Sequence, residues 1–246
     1  FLDKNMNLEE QLKDVLGNII HIHCTDKVQL QQVLNWYETK QWDWSACHLS
    51  LYHNNSDVSH DFLTYIQKGA HIGDGCIEIQ IRQTHDALER LISGLKSAKE
   101  IWKQKLDTGF TNQEAANSIC FSYQGTSSFL ADIAIIKTLR YAWESFLREQ
   151  GVGEISVKIH SLIQAPTSTE EQYDVLLQHT TMAMSAVLGG SDTVVIKPIT
   201  HEHAEAAARW SRNILHLLVE ESGFQWGKDL WKGAYAIEHL MEQLIS

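Results

Sequence analysis

Proline is almost missing from this chain of 246 residues, in which only Pro166 and Pro198 occur. No Pro-rich or Gly/Ser-rich stretch divides the sequence, so we predict one domain over residues 1–246. No apolar run approaches the roughly 20 residues that a membrane-spanning helix needs. The polar start, Phe1-Leu-Asp-Lys-Asn5, lacks the apolar core of a signal peptide. These absences predict a soluble protein with no membrane partner.

Positive charge is also scarce, because the formal net charge is -11. An acidic chain is a poor partner for nucleic acid or an anionic membrane, since both bind basic surfaces. The four cysteines include no Cys-x-x-Cys pair, which argues against a zinc site; they are Cys24, Cys47, Cys76 and Cys120. Reduced thiols are typical of a reducing compartment, so we expect a cytoplasmic protein.

Six short runs rich in β-branched residues alternate with helical patterns along the chain. They predict strands at residues 19–24, 46–52, 76–81, 119–123, 155–160 and 193–196. Helices are predicted at 84–104, at 129–150, from the capping residues 167–168 to 188, and at 202–221. This alternation predicts a mostly parallel α/β sheet. Because a closed (β/α)8 barrel needs eight strands, six indicate an incomplete barrel or an open wound sheet.

One of these steps from helix to strand is unusually well marked. Met184, Val187 and Leu188 fall at helical spacing, and Gly189 and Gly190 are predicted to end the helix, since glycine reaches φ > 0 without a steric cost. The run at 193–196 does not alternate, which is typical of a strand covered on both faces.

Further motifs follow a recognisable order. They are Phe129-Leu-Ala-Asp-Ile-Ala134, Val157-Lys-Ile-His160, the Leu-Gly-Gly turn, Arg209-Trp-Ser-Arg-Asn213 leading to Leu218-Val-Glu-Glu-Ser222, and Asp229-Leu-Trp-Lys-Gly-Ala-Tyr235 with Glu238. Taken in order, they resemble the barrel domain of the methylmalonyl-CoA mutase family, most like its small (beta) subunit. The resemblance covers residues 85–246 well and 1–84 poorly.

The resemblance implies an α/β fold of the (β/α)8 TIM-barrel type, incomplete here, with about six strands. It also implies an adenosylcobalamin-dependent isomerase that interconverts methylmalonyl-CoA and succinyl-CoA. In the family, the segment that resembles Phe129-Leu-Ala-Asp132 is a helix that begins Phe-Phe-Met-Glu. Active chains of the family place an Arg and a Ser on the strand before that helix, where this chain has Ser118 and Cys120. The family has a Gln shortly after the histidine that corresponds to His160, and Leu162 replaces it here. The family is also expected to have an acidic residue after the strand that follows the Leu-Gly-Gly turn, where this chain has Lys197-Pro198.

The family's cobalamin motif, Asp-x-His-x-x-Gly, is missing from the sequence, so we expect no cobalamin-binding domain. Since the cofactor supplies the hard chemistry of this radical rearrangement, the resemblance predicts a non-catalytic chain that binds no cofactor itself. It would support a catalytic large subunit carrying adenosylcobalamin, as a heterodimer, or form a homo-oligomer.

The resemblance also suggests where a ligand pocket could survive. His160, at the predicted carboxyl end of its strand, is the best candidate for a vestigial contact to a CoA substrate, with Tyr123 and Gln124 as weaker candidates. A histidine hydrogen-bonded within a loop is the plain alternative. The family-motif residues are expected to be structural rather than catalytic; they are Arg209, Arg212, Asn213, Glu221, Asp229 and Tyr235.

Another class of function remains open. His21 and His23 lie two apart on a predicted strand and so share a face, as in metal-dependent barrel hydrolases, where His160 could be a further ligand. No Asp on a final strand completes that ligand set, so we expect no bound metal ion. A structural fragment without any ligand is the third possibility.

Overall fold

A computed structural model describes residues 20–24, 32, 47–53, 76–81, 86–164, 172–198, 204–223 and 229–245. The chain divides into two compact units. The first comprises Phe1–Gln80, Lys96–Cys120 and Leu147–Ser156, and the second Ile81–Leu95, Phe121–Phe146 and Val157–Ser246. The prediction of a single domain over 1–246 stays a prediction.

Strands and helices alternate in the order that the sequence predicts. The strands are β1 (Ile20–Cys24), β2 (Cys47–His53), β3 (Cys76–Ile81), β4 (Ile119–Gln124), β5 (Lys158–Ile163) and β6 (Thr193–Ile196). The helices are α1 (Ala87–Asp107), α2 (Asn112–Asn117), α3 (Phe129–Glu149), α4 (Gln172–Gly189), α5 (Ala204–Glu220) and α6 (Tyr235–Ile245). The predicted mixed α/β class is therefore confirmed, whereas the incomplete TIM-type barrel stays a prediction.

The three strand pairs whose register the structure describes are all parallel. In the first unit β1 pairs with β2, with Ile20 opposite Cys47, and β2 pairs with β3. In the second unit the strand order is β4–β5–β6, and β5 runs parallel to β6 from His160 opposite Thr193 to Ile163 opposite Ile196. Parallel pairing is what the alternation predicted, and α4 joins the parallel strands β5 and β6.

The Leu-Gly-Gly turn is built from two glycines with different roles. Gly190 has a φ of 89°, so it needs the left-handed freedom of glycine. Gly189 is still helical, and a Cβ on it would lie 3.0 Å from Cβ of Ile136 and 3.3 Å from Cα of Ile133. Gly189 therefore allows α4 to approach α3 closely. The prediction that it serves a positive φ was wrong.

Burial departs from the apolar stripes of the sequence in two helices. On the apolar stripe of α1, Leu91 and Ile101 are buried, but Leu88 and Ile92 are exposed by 37% and 56%. Small and polar side chains of the same helix are buried as well, including Ala98. In α5, Leu217 lies on the apolar stripe but is exposed by 54%. Strand β6 is likewise less buried than expected, since it is mostly half-buried rather than covered on both faces.

The fifth strand begins three residues later than predicted. Backbone groups before it are held by side chains instead of a strand ladder: Gln113 bonds to both N–H and C=O of Glu154, and Arg140 donates to the carbonyl of Val157. The ladder then starts at Lys158. As a result His160 is the third of six strand residues, not the last.

Candidate functional site

The two faces of the β4–β6 strands differ in chemistry. Gly125 N–H donates to the carbonyl of Leu162 at 3.1 Å, which sets β4 in register with β5. Side chains alternate along strands, and partners across parallel strands share a face. We call one side the helix face, made of Phe121, Tyr123, Ile159, Ser161, Ile163, Val194 and Ile196. We call the other the polar face, made of Ser122, Gln124, Lys158, His160, Leu162, Gln164, Thr193, Val195 and Lys197.

The helix face packs against α3 and α4. The ring of Phe121 meets that of Trp143 on α3 edge to face, with centroids 5.6 Å apart. A Cβ placed on Gly125 would lie 3.1 Å from Cδ1 of Ile163 and 3.5 Å from the terminal methyl of Met182 on α4. Since these contacts are tight and mostly apolar, this face forms the core of the second unit.

A buried carboxylate ties the carboxyl end of β4 to the first turn of α3. Asp132 is fully buried. Its Oδ1 accepts from the hydroxyls of Tyr123 and Thr126, both at 2.6 Å, and its Oδ2 accepts from Thr126 N–H at 2.7 Å. Three donors to one buried carboxylate compensate its desolvation. They also fix the loop between strand and helix.

Arg90 of α1 completes this cluster. Its guanidinium lies 4.8 Å from the centroid of the Tyr123 ring and donates to the carbonyl of Gln124 at 2.6 Å. Burial, and then the charge of Asp132, raise the pKa of Tyr123 well above its ordinary value, although Arg90 opposes the shift. The phenol therefore stays protonated and acts as a hydrogen-bond donor. The sequence analysis did not single out Arg90 or Thr126, since neither belongs to a motif.

The polar face holds the other candidate side chains. His160 and Ser122 are buried, with 7% and 6% of their surfaces exposed. At the carboxyl edge, the Lys197 ammonium donates to Oε1 of Gln164 at 3.1 Å. Carboxyl edges of parallel strands are where barrels and wound sheets keep their sites.

The predicted pocket of His160, Tyr123 and Gln124 is thus only partly assembled. His160 and Gln124 share the polar face, but Tyr123 points to the helices. The grouping of Tyr123 with the other two was wrong, because consecutive strand residues face opposite ways. His160 also lies three residues before the carboxyl end of its strand, since β5 extends to Ile163.

Two ion pairs lie away from this edge. Arg140 donates to Asp192 Oδ2 and to the Gly190 carbonyl, while the same carboxylate oxygen accepts from Ile159 N–H at 2.8 Å. Lys137 bonds to Asp229 Oδ2 at 2.6 Å. Both pairs border a cleft of about 670 Å³ between α3, the end of α4 and α6. The Arg140 pair joins the amino ends of β5 and β6 to α3, and the Lys137 pair joins α3 to the segment before α6. We interpret both pairs as structural.

Some family-motif residues build the start of α6. Asp229 Oδ1 accepts from Trp231 N–H, and Gly233, with a φ of 80°, donates its N–H to Glu238 Oε1 at 2.8 Å. Partial burial would raise the pKa of Asp229, but the bonds from Lys137 and Trp231 lower it below its ordinary 3.8. Tyr235 is 81% exposed and stacks on His239.

The remaining motif residues lie on the outer surface of α5 or directly after it. Arg209, Arg212, Asn213 and Glu221 are all exposed. Their side chains form no hydrogen bond or ion pair with another residue that the structure describes. The prediction that they are structural rather than catalytic stays a prediction.

The metal hypothesis gains no support from the described residues. Within the ranges given above, no group of three or more His, Cys, Asp or Glu side chains could hold a metal ion. His21 and His23 do lie two apart on β1, as predicted, but their side chains fall outside the described part. A search of the described helices also finds none both long and apolar enough to cross a membrane.

Comparison with known proteins identifies the relatives of this chain. The sequence model of the family described as methylmalonyl-CoA mutase matches residues 84–246. The chain is 26% identical over 171 residues to the mitochondrial methylmalonyl-CoA mutase of Bos taurus, covering 65% of this chain and 22% of that protein. It is 24% identical over 163 residues to the methylmalonyl-CoA mutase small subunit of Streptomyces virginiae, covering 64% of this chain and 26% of that one.

This chain thus spans about a quarter of the length of these relatives. The matched range agrees with the resemblance at 85–246, and it includes the Asp132 cluster, the polar face and the motifs of α5 and α6. Because the match covers well over half of the sequence, the chain belongs to the methylmalonyl-CoA mutase family.

Proposed function

We propose that this chain is a small-subunit-type member of the family, which supports a catalytic large subunit instead of turning over substrate itself. The partner would carry adenosylcobalamin and interconvert methylmalonyl-CoA and succinyl-CoA. The two would form a heterodimer, and the chain would supply part of a TIM-type barrel. A cytoplasmic location remains part of this proposal.

The burial of Ser118 and Cys120 is the main observation that supports the proposal. These residues occupy the positions at which active chains of the family are expected to bind the thioester. Here Ser118 is buried and donates to the carbonyl of Ala115 at 2.8 Å, at the amino end of β4. Cys120 is fully buried. Neither side chain is presented to a ligand, and neither could provide an anion clamp.

The cluster at the other end of β4 supports the same conclusion. Tyr123 and Asp132 are two titratable side chains in hydrogen-bond contact, yet both are fully buried and bonded to each other. Catalytic acids and bases must reach the reacting atoms within hydrogen-bond distance. This pair instead stabilises the loop that leads into α3.

The outer surface of α5 supports a role in assembly. Arg209, Arg212 and Asn213 match a family motif, project outward, and lie on the same helix as Leu217, which is 54% exposed. Arginine beside exposed apolar surface is common at protein interfaces.

Co-purification with the large mutase chain from the same source tests the proposal. We expect a stable complex, and no isomerase activity from the 246-residue chain alone with adenosylcobalamin and methylmalonyl-CoA. The double variant Arg209→Glu/Arg212→Glu should weaken the complex, whereas Lys103→Glu, a charge reversal on the exposed side of α1, should not. Turnover by the isolated chain, or failure to bind the large chain, would contradict the proposal.

A further inference from the structure

The polar face carries cationic and neutral polar groups but no carboxylate. Its nine positions include Lys158, Lys197 and His160, and the remaining polar members are glutamine, serine and threonine. This is unexpected in a chain whose formal net charge is -11, with 31 acidic against 20 basic residues. The strand segments of this face therefore form a locally basic surface within an acidic protein.

Donors converge at the carboxyl edge of this face. Lys197 Nζ lies 3.1 Å from Oε1 of Gln164, and both residues are partly buried. Because the Gln164 oxygen accepts from the ammonium, its amide nitrogen presents two further N–H donors. Gln124 stands at the same edge on the next strand, two residues along from the buried Ser122.

The backbone fixes these side chains in place. Lys197 N–H donates to the carbonyl of Ile163 at 2.9 Å, which continues the β5–β6 ladder one residue beyond Ile196. Gly125 N–H is bonded in the same way to Leu162, next to Gln124. Side chains held on strand ends by such ladders are better positioned than side chains on free loops.

We propose that Lys197 and Gln164, with Gln124 beside them, form a subsite that binds an oxyanion. The ammonium supplies charge and the amides supply directed N–H donors, a combination that suits a carboxylate or a phosphate. Binding here goes beyond the supporting role proposed above, since it requires neither catalysis nor the large subunit.

Calorimetric titration of the whole 246-residue chain at constant ionic strength tests this subsite. Succinate and inorganic phosphate are the two probes, and uncharged dimethyl succinate is the ligand control. We expect saturable binding of succinate, phosphate or both, and none of the diester. Preference for one probe identifies the oxyanion class that the subsite takes.

Lys197→Met should weaken binding about tenfold, since it removes a charged hydrogen-bond donor. Lys103→Met removes one positive charge from the exposed side of α1 and should leave affinity unchanged. Gln164→Leu should weaken binding as well and guards against a folding defect in the lysine variant. Circular dichroism checks the fold of each variant.

Two results would overturn the inference: no saturable binding of either anion, or equal affinity for wild type and folded Lys197→Met. The proposed assembly role is judged separately, because Lys197→Met should still co-purify with the large mutase chain. A wild-type chain that forms the complex but binds neither succinate nor phosphate would reject the subsite alone.

Discussion

Substitution of Gly189 by alanine measures how closely α4 approaches α3. The new methyl group would lie 3.0 Å from Cβ and 3.1 Å from Cδ1 of Ile136, where carbon atoms prefer about 3.5–4.0 Å. Cδ1 can rotate away, but Cβ and the Ile133 Cα at 3.3 Å cannot, so the helices must separate. Overpacking of this kind costs about 1–3 kcal/mol. Alanine is better than glycine inside a helix by about 1 kcal/mol, which offsets part of this cost.

The middle of that range less the helix gain leaves a net loss, so we expect Gly189→Ala to lower the free energy of unfolding by about 1 kcal/mol. Urea unfolding followed by tryptophan fluorescence gives this change as a lower midpoint. Gly153→Ala is the matched control, since no atom lies within 4 Å of its added methyl group and its φ is not positive. The control should be neutral or slightly stabilising. A Gly189→Ala protein as stable as wild type would refute the close approach.

Two further predictions concern buried and surface carboxylates. Asp132→Asn should destabilise the fold by about 2–3 kcal/mol, since three donors lose a charged acceptor. Tyr123→Phe should cost less, because Thr126 still satisfies the carboxylate; equal losses in urea unfolding would argue against the arrangement. The folded pKa of Asp229 is depressed, so its contribution is present above the unfolded pKa and lost as pH falls through the folded value. Lys137→Met should flatten that acid dependence in thermal unfolding, and an unchanged pH profile would contradict it.

Local pattern was enough to predict most of the elements that the structure describes. Alternating β-branched runs and 3.6-residue stripes predicted the six described strands and the four longest of the described helices, because each element must bury an apolar face. The short helix α2 carries a capping box at Thr111 and Glu114, a signal present in the sequence but not used. The terminal helix α6 was likewise missed, although Gly233 and Glu238 mark its start.

Strand limits and buried faces were harder, because they depend on partners distant in sequence. Nothing local shows that Arg140 would bond to the carbonyl of Val157, a residue predicted inside the strand. The strand starts only after it, at Lys158, which leaves His160 inside the strand. Likewise, Gly189 was read as a conformational signal, although the reason for it lies on the facing side of α3.

The sequence alone was enough to predict that Tyr123 and Gln124 lie on opposite faces of their strand. Tyr123 and Gln124 are consecutive in a strand, so the period of two already assigns them to opposite faces, whatever the limits of β4. The same rule groups Ser122 with Gln124, and His160 with Leu162 and Gln164. Only the pairing of β4, β5 and β6 then brings these sets to one surface, and that pairing requires the fold. From the sequence, Lys197 was noted only because it stands where the family resemblance predicts a carboxylate. On that surface, it is a cation that lies next to the side-chain amide of Gln164.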